Sequence, residues 1–422
     1  MEIHSYPALA ETLHTATLPS GLRVMVLPRK GFTKKLAYLV TDFGSIHTDF
    51  TLDGKTYHTP PGIAHYLEHK LFDMPGGRDI SEEFASLGAI VNAFTSYDMT
   101  AYYVSCTEHF SENLRLLLEF VSTPYFPEES VQREMGIIDQ EIGMNADTPE
   151  TRIFEQLTEI MYRSHPIRVP ILGNCDSIRH ITPETLHACH KAFYTPGNMI
   201  LCVIGDVEAE EVVTIARQVL GDEKRPVGEK LRAWEEEPAC AGNVRCQMEV
   251  AMPTFLLGFK CEATGTGENA IRQEIIGDLA CEALFGESSA LYLKLYNEGL
   301  IDGSFGGGFE TVDGGALVTC GGDSEDPEAV RAAILERARE LVKEGIPEAD
   351  FLRLKRSALG RRIRGLDSFD STCFRLCAYH FSDFDYFRFP SVYPDITADA
   401  VLAFLDRVIR PQRCAISVID PA

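Results

Sequence analysis

The stretch "PGIAHYLEHKLF", residues 61–72, sets two histidines around a glutamate: His65, Glu68 and His69. On a helix His65 and His69 stand at i and i+4 with Glu68 at i+3, so all three share one face within a turn. Two imidazoles so spaced reach one metal ion at about 2 Å each, and the adjacent carboxylate can hydrogen-bond a water on that ion. The chemistry is hydrolysis: a metal acidifies water, and a glutamate takes its proton as it attacks a carbonyl. The triplet alone does not decide the matter. With twelve histidines, H-x-x-E-H arises by accident roughly three times in a hundred chains of this composition.

A third ligand is therefore required downstream. In "QREMGIIDQEIGMNADTP", Glu134 and Glu141 lie seven residues apart, two helical turns, on one face. Glu141 would complete a His2Glu set with water in the fourth position. Glu134 would sit one layer out, orienting a ligand histidine or the water. Alone, the pair reads as surface acids opposite an apolar face; beside the first motif it reads as the missing ligand. Zinc, one ion per chain, is the expected metal, and cobalt or manganese could occupy such a set in vitro.

The elements that must position these residues follow from local pattern. "TLPSGLRVMVLPRK" has a turn signal at Pro19, Ser20 and Gly21 before an apolar run, and "KLAYLVTDFGS" reads as the next strand. Helical periodicity covers 62–72 and 80–87. "AIVNAFTSYDMTAYYVSCT" gives two alternating strands around "SYDM". Helices are expected at 108–121 and at 127–144, the latter opened by "PEES". "MILCVIGDV", from Met199, is a buried strand that ends the half. The charged, proline-containing stretch 221–243 reads as a linker. The plan then repeats: a strand "PTFLLGFKC", helices at 271–285 and 288–298, strands around "GSFGGGFETVDGGALVTCGGD", a long helix from Asp326, and the closing strand "RCAISVID". Matching order and length predict two copies of one α/β unit, residues 1–220 with the metal motif and 244–422 without it.

Composition bounds the partners. The 422 residues exceed one ordinary core. A net charge of −24 argues against nucleic acid or an anionic membrane, which need a basic surface. Basic peptides remain compatible. The basic run "KRSALGRRIRG", Lys355 to Gly365, reads as a solvated helix face, with contact to an acidic partner as the alternative. The twelve scattered cysteines show no framework and read as buried free thiols. No apolar run is long enough to cross a bilayer and the first residues carry no signal peptide, which points to the cytoplasm.

H-x-x-E-H followed about seventy residues later by E-x6-E is the inverzincin pattern, and it resembles the pitrilysin/insulinase family of zinc peptidases. The flanks "GIAHYLEHKLF", "NAFTSYDMTAYY", "VPILG" and "FYTPGNMILCVIGD" fit as well. The likeness covers nearly the whole chain and is greatest to the short bacterial YmfH-type members. It implies an α+β fold of two homologous α/β-roll domains, each a mostly antiparallel sheet with helices on one face. It also implies zinc on His65, His69 and Glu141, Glu68 as general base, and Glu134 in support. The strand bearing Asn92, Ala93 and Phe94 would be the edge to which an extended peptide adds; Asn92 either holds a substrate carbonyl or satisfies a turn.

One departure bears on partners. Where active members carry an Arg and a Tyr that face the zinc, this chain has "SSALYLKLYNEGLIDGS", with Tyr296 at the arginine's place and Asp302 near the tyrosine's. The resemblance then implies a heterodimer with a metal-less paralogue that supplies Arg and Tyr, a homodimer being the other possibility. The expected activity is a zinc-dependent endopeptidase. The alternatives are a core-type structural subunit without catalysis, or a maturation factor for a leader peptide or the elongation factor P pathway.

Overall fold

A computed structural model describes residues 1–232, Glu235 and 240–422. The first half begins with strands β1 (Glu2–Tyr6), β2 (Glu11–Thr17), β3 (Arg23–Pro28) and β4 (Lys35–Thr41). A small hairpin follows, β5 (Asp49–Leu52) and β6 (Lys55–His58). Then come α1 (Ile63–Lys70), α2 (Ile80–Ser86), β7 (Ile90–Thr95) and β8 (Thr100–Cys106). Helices α3 (Phe110–Ser122), α4 (Glu128–Ala146), α5 (Pro149–Met161) and α6 (Pro183–Phe193) lead to β9 (Met199–Gly205) and α7 (Ala209–Leu220).

Within the stretch read as a linker, residues 233, 234 and 236–239 lie outside the described residues. Its described part includes β10 (Glu229–Lys230), which pairs with β5. The second half has β11 (Gly242–Met248), β12 (Thr254–Cys261), α8 (Gly267–Phe285), α9 (Ala290–Asn297), β13 (Gly306–Val312) and β14 (Gly315–Asp323). It continues with α10 (Pro327–Glu344), α11 (Glu348–Arg364), α12 (Phe369–Phe381), α13 (Phe389–Val392), α14 (Ala398–Val408) and β15 (Cys414–Pro421). The long helix expected from Asp326 is α10, N-capped by the Asp326 side chain, and a separate helix, α11, follows it. Gly345, at φ 82°, ends α10, and Pro347 caps α11, so neither residue can continue a helix.

The first sheet runs β1-β2-β3-β9-β4-β8-β7 and the second β11-β15-β12-β14-β13. Five strands of the first therefore repeat the order of the second. Each sheet has one parallel pair, β3 with β9 and β11 with β15, amid antiparallel neighbours. The expected α+β class with two copies of one unit is what the chain forms.

Alternation along the strands explains the layers. Val24, Val26, Ala37, Leu39, Leu201 and Val203 face the first half's own helices. Met25, Leu27, Leu36, Tyr38, Ile200 and Cys202 face the other way and join the core of the second half. What covers that reverse face is α12, packed on β4 and β9. The exchange is mutual: α5, from the first half, lies on β11, β12 and β15 of the second sheet. Its approach is close enough that a Cβ on Gly258 would stand 2.3 Å from the Met161 sulfur. Each sheet is thus covered on both faces, on one of them by a helix of the other half.

A single carboxylate ties these parts together. Glu235 accepts hydrogen bonds from the backbone N–H groups of Arg163 (2.9 Å), Ser164 (2.7 Å) and His165 (2.9 Å), and from Lys260 Nζ on β12 (2.6 Å). Those four donors hold its carboxyl at a pKa of about 2 against the burial that opposes ionisation. The basic run on α11 also finds acids within the chain. Arg362 is buried and pairs with Glu274 (2.5 Å) and Asp278 (2.8 Å), so this face is not simply solvated. No helix among the described residues is long and apolar enough to cross a membrane.

Candidate metal centre

Helix α1 is short and enclosed. Ile63, Ala64, Tyr66 and Leu67 belong to the first core, which leaves His65, Glu68 and His69 on the remaining face. Its start is fixed by close backbone approach. Gly62 caps the helix at φ 91°, and a Cβ there would meet Leu172 O at 2.4 Å. Its far end is tied to α4. Tyr66 Oη donates to Val131 O, and the fully buried Lys70 Nζ donates to Ser130 Oγ (2.5 Å) and pairs with Asp73.

Helix α4 brings Glu141 to the two imidazoles. His65 Nε2 lies 3.6 Å from Glu141 Oε1, and His69 Nε2 lies 3.6 Å from Glu141 Oε2. Three ligand atoms of these residues fall within 4.8 Å of one another, and they form the one such group found among the described residues. Ligands about 2 Å from a tetrahedral ion stand roughly 3.3 Å apart, so the three donors fit one ion with little movement. Two turns earlier on α4, Glu134 Oε1 lies 3.0 Å from His69 Nδ1. That contact leaves His69 Nε2 to face Glu141, as a ligand imidazole backed by a carboxylate requires. The buried His65 Nδ1 has no hydrogen-bond partner.

The electrostatics follow from enclosure and charge. Burial disfavours a charge on His69, but the carboxylates of Glu134, Glu68 and Glu141 outweigh it and raise its pKa. The His65 imidazole holds Glu141 below its ordinary value. Burial pushes Glu68 upward, opposed by the hydroxyl of Thr95, which donates to Glu68 Oε2 at 2.5 Å. The arrangement gathers three potential ligands, a buried carboxylate beside them and a carboxylate behind one imidazole. It can hold a divalent metal and move a proton next to it.

The residues expected at the substrate sit on β7, an edge strand paired only with β8. Ala93 packs towards the core that holds α1. Phe94 lies on the reverse face, against Tyr103 and Phe374. Asn92 Oδ1 accepts from the N–H of Ala93 at 2.9 Å. Sequence reasoning missed Thr95 and Lys70. Strand alternation from Ala93 would have placed Thr95 on the α1 face; Lys70 gave no signal beyond an ordinary exposed-looking lysine.

Among the described residues, the second half offers no equivalent set. Aligning the Leu-Phe pair after α1 (Leu71, Phe72) with that closing α8 (Leu284, Phe285) puts Asp278, Cys281 and Glu282 opposite His65, Glu68 and His69. Aligning the capping prolines Pro127 and Pro347 puts Leu354 and Arg361 opposite Glu134 and Glu141. There Arg361 pairs with Glu282 at 3.3 Å.

Two family descriptions match successive stretches of the chain. Residues 54–174 match the insulinase domain, peptidase family M16, and residues 180–358 match the M16 inactive domain. YmfH of Bacillus subtilis, named an uncharacterized zinc protease, is 36% identical over 99% of this chain and 98% of its own length. A second uncharacterized zinc protease of that organism, YmxG, is 24% identical over 75% of this chain and 78% of its own. The crystal structure of an M16-like peptidase from Alicyclobacillus acidocaldarius superposes with a TM-score of 0.93 at 32% identity, covering 98% of this chain and 99% of that one. A Helicobacter pylori protease shares the fold, with a TM-score of 0.83 at 19% identity over 97% of this chain and 99% of its own. Near-full-length identity to YmfH, together with both domain matches, establishes that the chain belongs to the insulinase family, peptidase family M16.

Proposed function

We propose that this chain is the catalytic subunit of a zinc-dependent endopeptidase that cleaves peptides or small unfolded proteins. The observation that carries the reading is the convergence of His65, His69 and Glu141 with the buried Glu68 on one helix face. Zinc bound there would polarise the scissile carbonyl and acidify a water. Glu68 is the group placed to take a proton from the attacking water and return it to the leaving amine. Glu134 holds the His69 ring in orientation through Nδ1. The free edge of β7 offers main-chain hydrogen bonds to an extended substrate, with Ala93 on the side of the ligands. Asn92 and Phe94 contribute there through their backbone.

Oxyanion stabilisation is the part that the matching described residues do not supply. Tyr296, half-exposed on α9, and Asp302, bonded to Ser304, supply no cationic donor, and a tetrahedral oxyanion without donors forfeits several kcal/mol. A metal-less paralogue that provides Arg and Tyr completes the site; a second copy of this chain is the other arrangement.

The test is metal content and hydrolysis of a quenched-fluorescent peptide library by the wild type and Glu68→Gln. Bound zinc in both with turnover only in the wild type supports the reading. Zinc in both without turnover points to the missing partner, to be supplied by adding a paralogue. No stoichiometric metal in either sinks the peptidase assignment and leaves a structural subunit.

A further inference from the structure

The hydroxyl groups behind Glu68 have a fixed polarity that follows from counting protons. A threonine or tyrosine hydroxyl has one proton to donate. Thr100 gives its proton to Phe43 O at 2.8 Å. Tyr102 and Tyr194 share a buried contact of 2.9 Å between their hydroxyls. Thr100 therefore has no proton left for Thr95, whose Oγ1 is 3.5 Å away. The proton of Thr95 goes to Glu68 Oε2, at 2.5 Å, the length of a hydroxyl bonded to a carboxylate.

The backbone under Thr95 is equally constrained. Thr95 and Thr100 form the closing pair of the β7–β8 hairpin. Beyond them Ser96 N donates to Met99 O (2.8 Å) and Met99 N donates to Ser96 Oγ (3.2 Å). A glutamate side chain has three torsions to immobilise. The Thr95 hydroxyl is the hydrogen bond that fixes the last of them here.

We propose that Thr95 is a positioning residue for Glu68: it captures Oε2 as an acceptor and leaves Oε1 as the oxygen that takes and returns the proton. This rests on the reading of Glu68 as general base. A merely structural role, compensating the burial of a carboxylate, would change stability but not the split between turnover and substrate binding.

The experiment uses full-length, zinc-loaded wild type, Thr95→Val, Thr95→Ser and Thr95→Ala, each with the paralogue added where wild-type turnover needs it, and the quenched-fluorescent peptide that the wild type cleaves best. Thr95→Val is expected to lose about 10- to 100-fold in kcat at unchanged KM and zinc stoichiometry, as small misplacements of reacting groups do, while Thr95→Ser stays within about threefold. Crystal structures of the same proteins give a readout independent of turnover. Glu68 should keep one rotamer with Oε2 on the hydroxyl in the wild type and Thr95→Ser, and should rotate or disorder in Thr95→Val. Thr95→Ala replaces Thr95→Val if the latter fails to fold. Unchanged kcat, a change in KM alone, or an undisturbed Glu68 overturns the inference and leaves the peptidase reading standing. Absence of metal and turnover in the wild type overturns the peptidase reading and this inference with it, whereas the outcomes above overturn the inference alone.

Discussion

Neutralising Glu235 tests whether one carboxylate couples the connecting segment to both halves. Its side chain is about 9% exposed and accepts from three successive backbone N–H groups and from Lys260. The fall from an ordinary 4.5 to about 2, at about 1.4 kcal/mol per pH unit, corresponds to about 3–4 kcal/mol of stability at neutral pH. Solvent screening of a partly exposed carboxylate reduces that figure, so roughly 2–3 kcal/mol is expected from Glu235→Gln at pH 7. The sign follows from a depressed folded-state pKa. The contribution is fully present above the unfolded value of 4.5 and disappears as pH falls through about 2. At pH 3 less than half of it remains. Urea unfolding followed by circular dichroism at pH 7, 5 and 3 measures the difference between the two proteins. A variant as stable as the wild type at pH 7, or a deficit that stays constant down to pH 3, refutes the reasoning.

Other perturbations probe the rest of the architecture. Glu134→Gln should weaken zinc binding roughly 10- to 100-fold in competition with a chromophoric chelator, because it loosens the His69 ring; unchanged affinity would dismiss that role. Excess zinc at about a thousandfold over its dissociation constant should add about 4 kcal/mol of stability relative to chelated protein, read as a rise in Tm that His69→Ala abolishes. Asp73→Asn leaves the fully buried Lys70 without its nearest anion and should cost about 3 kcal/mol; a loss equal to that of an exposed acid would contradict the burial. Gly258→Val should destabilise by about 2–3 kcal/mol through the Met161 sulfur, and Met161→Ala should recover part of the loss. Additive effects of those two substitutions would mean that α5 does not press on β12 there.

The candidate site was legible because its spacing is local. His65, Glu68 and His69 fall within one turn, and Glu134 and Glu141 within two, so helical periodicity alone groups each set. "MILCVIGDV" was equally plain, since β9 is buried on both faces and reads as an unbroken apolar run. The hairpins β1–β2 and β5–β6 escaped notice because β2 buries the polar Glu11 and Thr15 where an apolar face would alternate, and β5 and β6 are only four residues each. Thr95 escaped for a different reason: which strand passes beside α1 is a tertiary fact. The same holds for α5 and α12, at which the sequence reading set no helix. Their apolar stripes belong to sheets far away in the chain, and no local pattern names the sheet.

The exchange of helices between the halves also sets a clock on biosynthesis. Once β9 has left the ribosome the first sheet can form, but the face bearing Met25, Tyr38, Ile200 and Cys202 has no cover. That cover, α12, is encoded roughly 160 residues later. At about 5–20 residues per second the apolar face stays uncovered for roughly 10–30 s on every nascent chain. Over that interval a holdase chaperone, or a neighbouring nascent copy, competes with α12 for the same strands. Yield in the cell should therefore respond to translation speed between β9 and α12 more than to the equilibrium stability of the finished protein.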